Sequence, residues 1–247
     1  MANHQVLDNV THKDLRVITA RSKDFGDNIA SIRIFPVEFR RIQAEYPIVF
    51  RKNDSASRFE PFALFGLADG ENLFLDDQGW HARYVPLAIE RQPFLIGFQT
   101  RTDGGVPVDE PVVHIDMDSP RVSDSEGEAV FLEQGGISPY LEHINTVLNA
   151  VHAGHADNDK FSAALIAHEL LEPFTLDVEL NDGSKFKLAG FHTINEANLN
   201  ALDANALANL HKAGHIENLY MAMASIANLA TLIDRKNALI QPGRQAS

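Results

Sequence analysis

The chain has 247 residues, of which 45% are hydrophobic, and its formal net charge at pH 7 is −13. This length is sufficient for a sizeable core in one or two domains, and the acidity argues against a nucleic-acid partner, which clustered Lys and Arg side chains would bind. The sequence contains no cysteine, which excludes disulfides, thiolate catalysis and cysteine zinc sites.

The N-terminal residues bear on where the protein acts. Residues 1–17 carry charged and histidine side chains without an apolar stretch, so they do not resemble a secretory signal. No uninterrupted apolar run reaches the ~20 residues that a membrane-spanning helix needs. We therefore expect a soluble, cytoplasmic protein without membrane insertion. An export route that reads a C-terminal signal would leave no trace in these tests.

The first part of the chain predicts short strands and one short helix. Residues 1–30 are predicted to form a polar arm with a strand near residues 15–19, and alternating hydrophobicity predicts a strand at residues 31–35. Pro36 favours a helix over residues 37–45, because proline is well tolerated at the start of a helix. Residues 47–51 are predicted to form the next strand.

Residues 61–98 form an aromatic-rich stretch around which we expect a sheet to be organised. Its six Phe and Trp side chains lie between Gly and Asp turns, which is typical of short strands folded over a common core. We predict strands over residues 61–67, 72–75, 80–85 and 94–98, with one helical turn at residues 87–91. Trp80, the only tryptophan, is expected to be buried where this stretch meets the helices.

Short sequence phrases in this stretch and beyond it are distinctive: Leu64-Phe65-Gly66-Leu67, Glu71-Asn72-Leu73-Phe74, Gly79-Trp80, Pro93-Phe94, Gly190-Phe191-His192-Thr193-Ile194 and Leu210-His211-Lys212-Ala213-Gly214. These phrases resemble the signature of a known bacterial family, SapC. They extend over nearly the whole chain. The resemblance implies a link to surface-layer export or outer-membrane uptake, since the family name derives from surface-layer-associated genes and members lie near outer-membrane receptor and halogenase-like genes. It implies no catalytic residues.

Residues 103–128 carry more than half of the net charge. They contain eight Asp or Glu residues and one Arg, Arg121, which gives −7. We interpret most of this region as a solvated, mobile pair of loops that a protease would cut near Arg121, with a strand at residues 112–115. A contact surface for a cation or a basic peptide is the alternative.

The periodicity then changes from that of strands to that of helices. Apolar residues from Ile137 to Val151 recur at helical spacing, with Ser138 as N-cap and Pro139 at the first helical position. A second helix is predicted at residues 159–171, followed by a β-hairpin at residues 174–189 that turns at Asn181-Asp182-Gly183.

The remaining chain is predicted to be helical. Thr193 and Glu196 have the spacing of a capping box, and Asp203 is expected to cap the next helix. Gly214 should end that helix in the left-handed conformation, before a last helix over residues 215–236.

One group of residues could carry metal chemistry. His114 and Asp116 have H-x-D spacing, which places both side chains on one face of a strand. With His192 as a distant third ligand they would form the two-histidine, one-carboxylate site of a non-haem iron(II) oxygenase. Enzymes of this class that use 2-oxoglutarate commonly also have a cation soon after the third ligand, and none occurs before Lys212. The competing interpretation is a surface histidine beside an acidic turn.

We therefore predict an α+β fold, with a mostly antiparallel sheet, packed helices and a helical C-terminal third. A single domain is expected over residues 1–247, sheet-rich in residues 1–135 and helix-rich in residues 136–247, because the inserted hairpin would extend the N-terminal sheet. Two functions remain open. One is a non-catalytic binding or accessory protein with a protein or peptide partner and no cofactor; the other is the oxygenase, with iron(II) and 2-oxoglutarate.

Overall fold

The computed structural model describes residues 3–53, 55, 57–103 and 106–240, with the backbone alone for residues 101–103 and 106–109. The chain divides into two compact units. The first comprises the residues up to Asp27 together with Leu87–Ala153, and the second comprises Asn28–Pro86 together with the residues from Gly154 onward. These boundaries differ from the division expected at residue 135, and the single domain stays a prediction.

Helices account for 36% and strands for 27% of the structure, and the paired strands run antiparallel, which confirms the α+β class. The strands of the described residues are β1 (His4–Val6), β2 (Arg16–Val17), β3 (Ser31–Arg33), β4 (Ile48–Lys52), β5 (Phe59–Leu64), β6 (Leu75–Asp76), β7 (Gly79–Trp80), β8 (Phe94–Asp103), β9 (Val106–Asp116), β10 (Val122–Ser123), β11 (Glu128–Ala129), β12 (Leu171–Glu179) and β13 (Lys185–Ile194). The α-helices are α1 (Phe39–Ile42), α2 (Leu87–Glu90), α3 (Pro139–Ala167), α4 (Glu196–Asn200), α5 (Ala204–Lys212), α6 (His215–Ser225) and α7 (Asn228–Ile240).

Two small antiparallel sheets lie in the first unit. One has the order β1-β9-β8 and is built on a long hairpin, in which Phe94 of β8 lies opposite Ile115 of β9. The other has the order β10-β2-β11. Phe94 and Ile115 pack with Leu141, Ile144 and other apolar side chains of α3 in one core. The apolar helical face predicted from residue 137 onward is therefore confirmed, and the Ser138 hydroxyl caps α3 by accepting from the Leu141 amide at 3.1 Å.

Residues 103–128 differ from the loop pair expected there. Val106–Asp116 forms a strand along its whole length, because its valines favour an extended, paired backbone. The Arg121 side chain is only 1% exposed, and its guanidinium donates to the Asp27 carboxylate at 2.6 Å. Loops are therefore not observed at residues 106–116, and the burial of Arg121 argues against protease cutting there, which stays a prediction.

The second unit is organised around a five-stranded antiparallel sheet with the order β12-β13-β4-β5-β3. The β12–β13 hairpin turns at Asn181-Asp182-Gly183, where Gly183 has a φ of +84°, as predicted. His192 of β13 lies opposite Phe50 of β4, so the hairpin does extend a sheet formed by strands from the first half of the chain. Strands β8 and β9 do not join it but belong to the first unit.

Aromatic side chains form much of the core of the second unit. Phe161 of α3 packs edge-on against Phe39 of α1 at 5.8 Å and lies 6.2 Å from Phe50, so these helices cover one face of the five-stranded sheet. Trp80 is partly rather than fully buried. Its indole Nε1 donates to the Tyr46 hydroxyl at 2.9 Å, and that hydroxyl donates to the Tyr84 carbonyl at 2.6 Å.

Helix α3 is continuous where the sequence predicts two helices. Gly154 lies at its centre, and a Cβ atom there would approach the Phe35 ring to 2.6 Å. Four residues on, the buried Asn158 amide donates to the Ile34 carbonyl at 3.1 Å. Close packing of the helix on residues 34 and 35 therefore stabilises a segment whose intrinsic helix propensity is poor.

Two other helix boundaries also differ from expectation. Asn195, not Thr193, caps α4, since its side chain accepts from the Asn198 amide at 2.9 Å while Thr193 remains within β13. The last predicted helix is divided into α6 and α7 by a turn after Ser225. Asp203 and Gly214 have the predicted roles, because the Asp203 carboxylate accepts from the Ala206 amide at 2.8 Å and Gly214 has a φ of +76°.

Candidate functional site

His114 and Asp116, the proposed H-x-D pair, lie on β9 in the first unit. The His114 imidazole lies over Gly97 of β8, where a Cβ atom would come within 2.7 Å of its Nε2 atom. The Asp116 carboxylate accepts from the Asp118 amide at 3.2 Å, and the Asp116 carbonyl accepts from Ser119 at the same distance. Histidine packing over a glycine and an aspartate ordering a turn are sufficient to account for the observed contacts of this pair.

His192, the expected third ligand, lies on β13 in the second unit. Its ring packs edge-on against Phe59 at 4.7 Å, and its buried Nδ1 atom has no hydrogen-bond partner among the described residues. Burial lowers the pKa of the His192 imidazole, and the Lys52 ammonium lowers it further, so both favour the neutral ring.

The described part of the chain contains no group of three or more His, Asp, Glu or Cys side chains arranged to hold a metal ion. The structure places two members of the proposed trio in one compact unit and the third in the other. No observation favours the oxygenase alternative.

The second unit has a cleft of about 450 Å³ on its five-stranded sheet, which we call the Arg51 cleft. It is lined by residues 30–31, Arg51, Leu64, residues 66–69 and residues 187–191. These residues come from strands β3, β4, β5 and β13 and from the turn after β5. Residues distant in sequence are therefore brought together by strand pairing.

The Arg51 side chain is held between two aromatic rings. Its guanidinium carbon lies 4.6 Å from the centre of the Phe62 ring and 4.8 Å from the centre of the Phe191 ring. Strand β4 lies between β5, which carries Phe62, and β13, which carries Phe191, so the rings approach from opposite sides. A guanidinium over an aromatic ring is attracted by the electron-rich face, and two such contacts restrict the side chain.

Strand register explains why these three side chains share one face of the sheet. Val49 lies opposite Phe62, and Arg51 is two residues after Val49, so Arg51 and Phe62 point the same way. His192 lies opposite Phe50, which places the adjacent Phe191 on the face of Arg51.

A β-bulge in β13 shapes the cleft wall beside Phe191. Phe174 lies opposite Phe191 and Leu176 lies opposite Leu188, so Ala189 and Gly190 together oppose one residue of β12. Gly190 has a φ of +82°, which glycine adopts without steric penalty. Bulges redirect neighbouring side chains and often lie beside functional sites.

The charges of the Arg51 cleft distinguish it from a second cleft of the same unit, which has a volume of about 420 Å³. There Arg40 is paired with Glu217 at 2.6 Å, and Lys160 is paired with Asp157 at 3.2 Å. Arg51, in contrast, forms no ion pair with any described residue. Sequence reasoning missed the Arg51 cleft because no local motif links an arginine of one strand to aromatic residues of two others.

One stretch of the C-terminal region is long and apolar enough to cross a membrane. Residues His215–Ile240 contain an 18-residue window with a mean hydropathy of 1.3, of which 28% is buried. Helices in the cores of other proteins meet the same criterion, so this is weak support for a span. The absence of membrane insertion expected from the sequence stays a prediction.

Comparisons with known proteins agree with the family resemblance. No curated protein and no solved structure matches the chain. The family model of SapC matches residues 7–232, which is almost the entire sequence. The chain therefore belongs to the SapC family.

Proposed function

We propose that this SapC-family chain is a non-catalytic binding or accessory protein that holds its ligand in the Arg51 cleft. The observation that carries the proposal is the positively charged Arg51 side chain, held between two aromatic rings in a cleft and unpaired with any described carboxylate. A side chain restricted before binding loses less conformational entropy when a ligand arrives. Such an arrangement suits recognition and needs no nucleophile or proton donor.

The cellular setting that we propose is supported by the sequence and by the family resemblance. The protein acts in the cytoplasm, has a protein or peptide partner rather than nucleic acid, and serves surface-layer export or outer-membrane uptake. The strongly negative net charge supports the exclusion of a phosphate backbone as partner.

The test uses the protein purified from the cells that make it. Native mass spectrometry should detect a bound molecule in the parent protein. The variant Ala189→Trp places a large side chain in the cleft wall and should abolish that extra mass. Ala224→Trp is the matched control, since Ala224 is an exposed alanine on α6 outside the cleft, and it should retain the ligand.

Two results would contradict the proposal. One is a bound mass that Ala189→Trp leaves unchanged. The other is stoichiometric iron, lost in His114→Ala or Asp116→Ala, together with succinate formation when iron(II) and 2-oxoglutarate are added. That second result would establish the oxygenase instead.

A further inference from the structure

The hydrogen-bond donors of Arg51 indicate which chemical group the cleft would recognise. The two aromatic rings contact the guanidinium from opposite sides of β4, and its N–H donors lie in the plane of the group. Its side chain makes no ion pair with the part of the chain that the structure describes. A guanidinium edge whose N–H donors are not engaged in an ion pair can bind a carboxylate, which accepts two parallel N–H···O bonds.

The charges around the cleft favour a ligand with one negative charge. Its lining contains two cations, Arg51 and Lys187, and one carboxylate, Asp69, which leaves an excess of one positive charge. Lys187 is only loosely paired, since its Nζ atom lies 3.8 Å from an Asp177 oxygen and both side chains are mostly exposed. A phosphate monoester would carry about −1.5 to −2 at pH 7 and would be repelled by Asp69.

Three leucines form the apolar part of the remaining walls. Leu64, Leu67 and Leu188 line the cleft and are each less than a tenth exposed. The volume of about 450 Å³ lies in the range of ~300–1,000 Å³ that is usual for small-molecule sites. A ligand could therefore place an apolar group in the cleft while its charged end meets Arg51.

We infer that the Arg51 cleft binds a monoanionic carboxylate attached to an apolar body, and this inference rests on the binding function proposed above. Two sources share this chemistry: a small organic acid and the C-terminus of a peptide. Arg51 pairs with the carboxylate through the edge of its guanidinium, Lys187 adds long-range attraction, and the leucines contact the apolar body.

Benzoate and benzamide provide the direct test, because they have nearly the same shape and differ in charge. Calorimetric titration should show benzoate binding at least about tenfold more tightly than benzamide, since charged hydrogen bonds are about twice as strong as neutral ones. Phenyl phosphate should bind more weakly than benzoate. In protein labelled with ¹⁵N-arginine, benzoate should shift the Arg51 Nε–H resonance, which reports contact with this side chain.

Variants of Arg51 separate charge from geometry. Arg51→Lys keeps the charge but loses the planar pair of donors, so benzoate affinity should fall about tenfold. Arg51→Met removes the charge and should abolish the preference for benzoate over benzamide. Arg40→Met is the matched control, because Arg40 lies outside the Arg51 cleft in the same unit and is paired with Glu217 at 2.6 Å. Its benzoate affinity should equal that of the parent.

A peptide pair identifies the source of the carboxylate. Acetyl-Ala-Leu with a free carboxylate should bind more tightly than its C-terminal amide if peptide ends are the ligand, whereas tighter binding of benzoate than of either peptide indicates a small acid. Equal affinity for benzoate and benzamide, or a benzoate preference that persists in Arg51→Met, overturns the inference. If either result is obtained while Ala189→Trp still removes the co-purified ligand, the proposed binding function is retained and only the assignment of a carboxylate ligand is wrong.

Discussion

The buried ion pair between Arg121 and Asp27 should be a main determinant of stability in the first unit. The Arg121 guanidinium donates to Asp27 at 2.6 Å and to the carbonyls of Ile18 and Ala20 at 3.0 and 2.8 Å. The Asp27 carboxylate also accepts from the Ser22 amide at 3.0 Å and from the guanidinium of Arg21 at 3.4 Å. Both members of the pair are about 1% exposed, so water cannot replace a lost partner.

The expected effects follow from what each substitution leaves behind. Arg121→Met leaves a buried carboxylate that retains Arg21 and the Ser22 amide, so we expect a loss near the lower end of the ~3–5 kcal/mol that is typical for breaking a buried pair. Asp27→Asn removes the negative charge that the Arg121 and Arg21 guanidiniums share and should cost more. A loss of about 3–4 kcal/mol corresponds to a decrease in Tm of roughly 6–16 °C for a chain of this size.

Urea unfolding followed by circular dichroism measures these losses. Arg58→Met is the matched control, because Arg58 pairs with Asp159 at the surface, with both side chains more than half exposed, and should lose less than ~1 kcal/mol. The double variant Arg121→Met/Asp27→Leu should lose less than the sum of Arg121→Met and Asp27→Leu. If Asp27→Asn were as stable as Arg58→Met, or if native protein were cut by trypsin at Arg121, the buried pair would not exist as described.

Three further predictions concern titration, backbone conformation and capping. Burial raises the pKa of the Tyr140 hydroxyl to about 12, whereas the pKa of an unfolded tyrosine is ~10. Unfolding therefore releases a proton above pH ~10, so the urea concentration at the unfolding midpoint should fall as the pH rises from 10 to 12. This fall should be smaller in Tyr140→Phe. Gly127→Ala should lower Tm far more than Gly26→Ala. Both residues have positive φ, which costs ~1–2 kcal/mol for alanine, but only at Gly127 would the new Cβ atom come within 2.2 Å of a backbone oxygen of β2. Equal decreases in Tm would contradict this packing. Asn195→Ala should lower the free energy of unfolding in urea by ~1 kcal/mol, because it removes the cap of α4. An equal or larger decrease in Thr193→Ala would instead support the capping box that the sequence predicts.

Several features that depend on a few adjacent residues were predicted well, although the capping box at Thr193 and Glu196 was not. The turn at Asn181-Asp182-Gly183, the cap at Asp203 and the left-handed end at Gly214 all occur where the sequence places them. Each rests on local chemistry: glycine adopts positive φ, and a short carboxylate reaches the amides of the first helical turn. The α+β class follows in the same way, from alternation in the first half of the chain and helical spacing after residue 137.

Features that join distant parts of the chain were decided by tertiary structure. The continuity of α3 depends on Phe35 packing against Gly154, and the burial of Arg121 depends on Asp27, although both segments read locally as breaks or loops. The Arg51 cleft needs three strands in one register before Phe62 and Phe191 can meet the guanidinium. The SapC-like turns were readable from the sequence alone, whereas the cleft was not, because strand pairing and burial depend on free energies summed over contacts far apart in sequence.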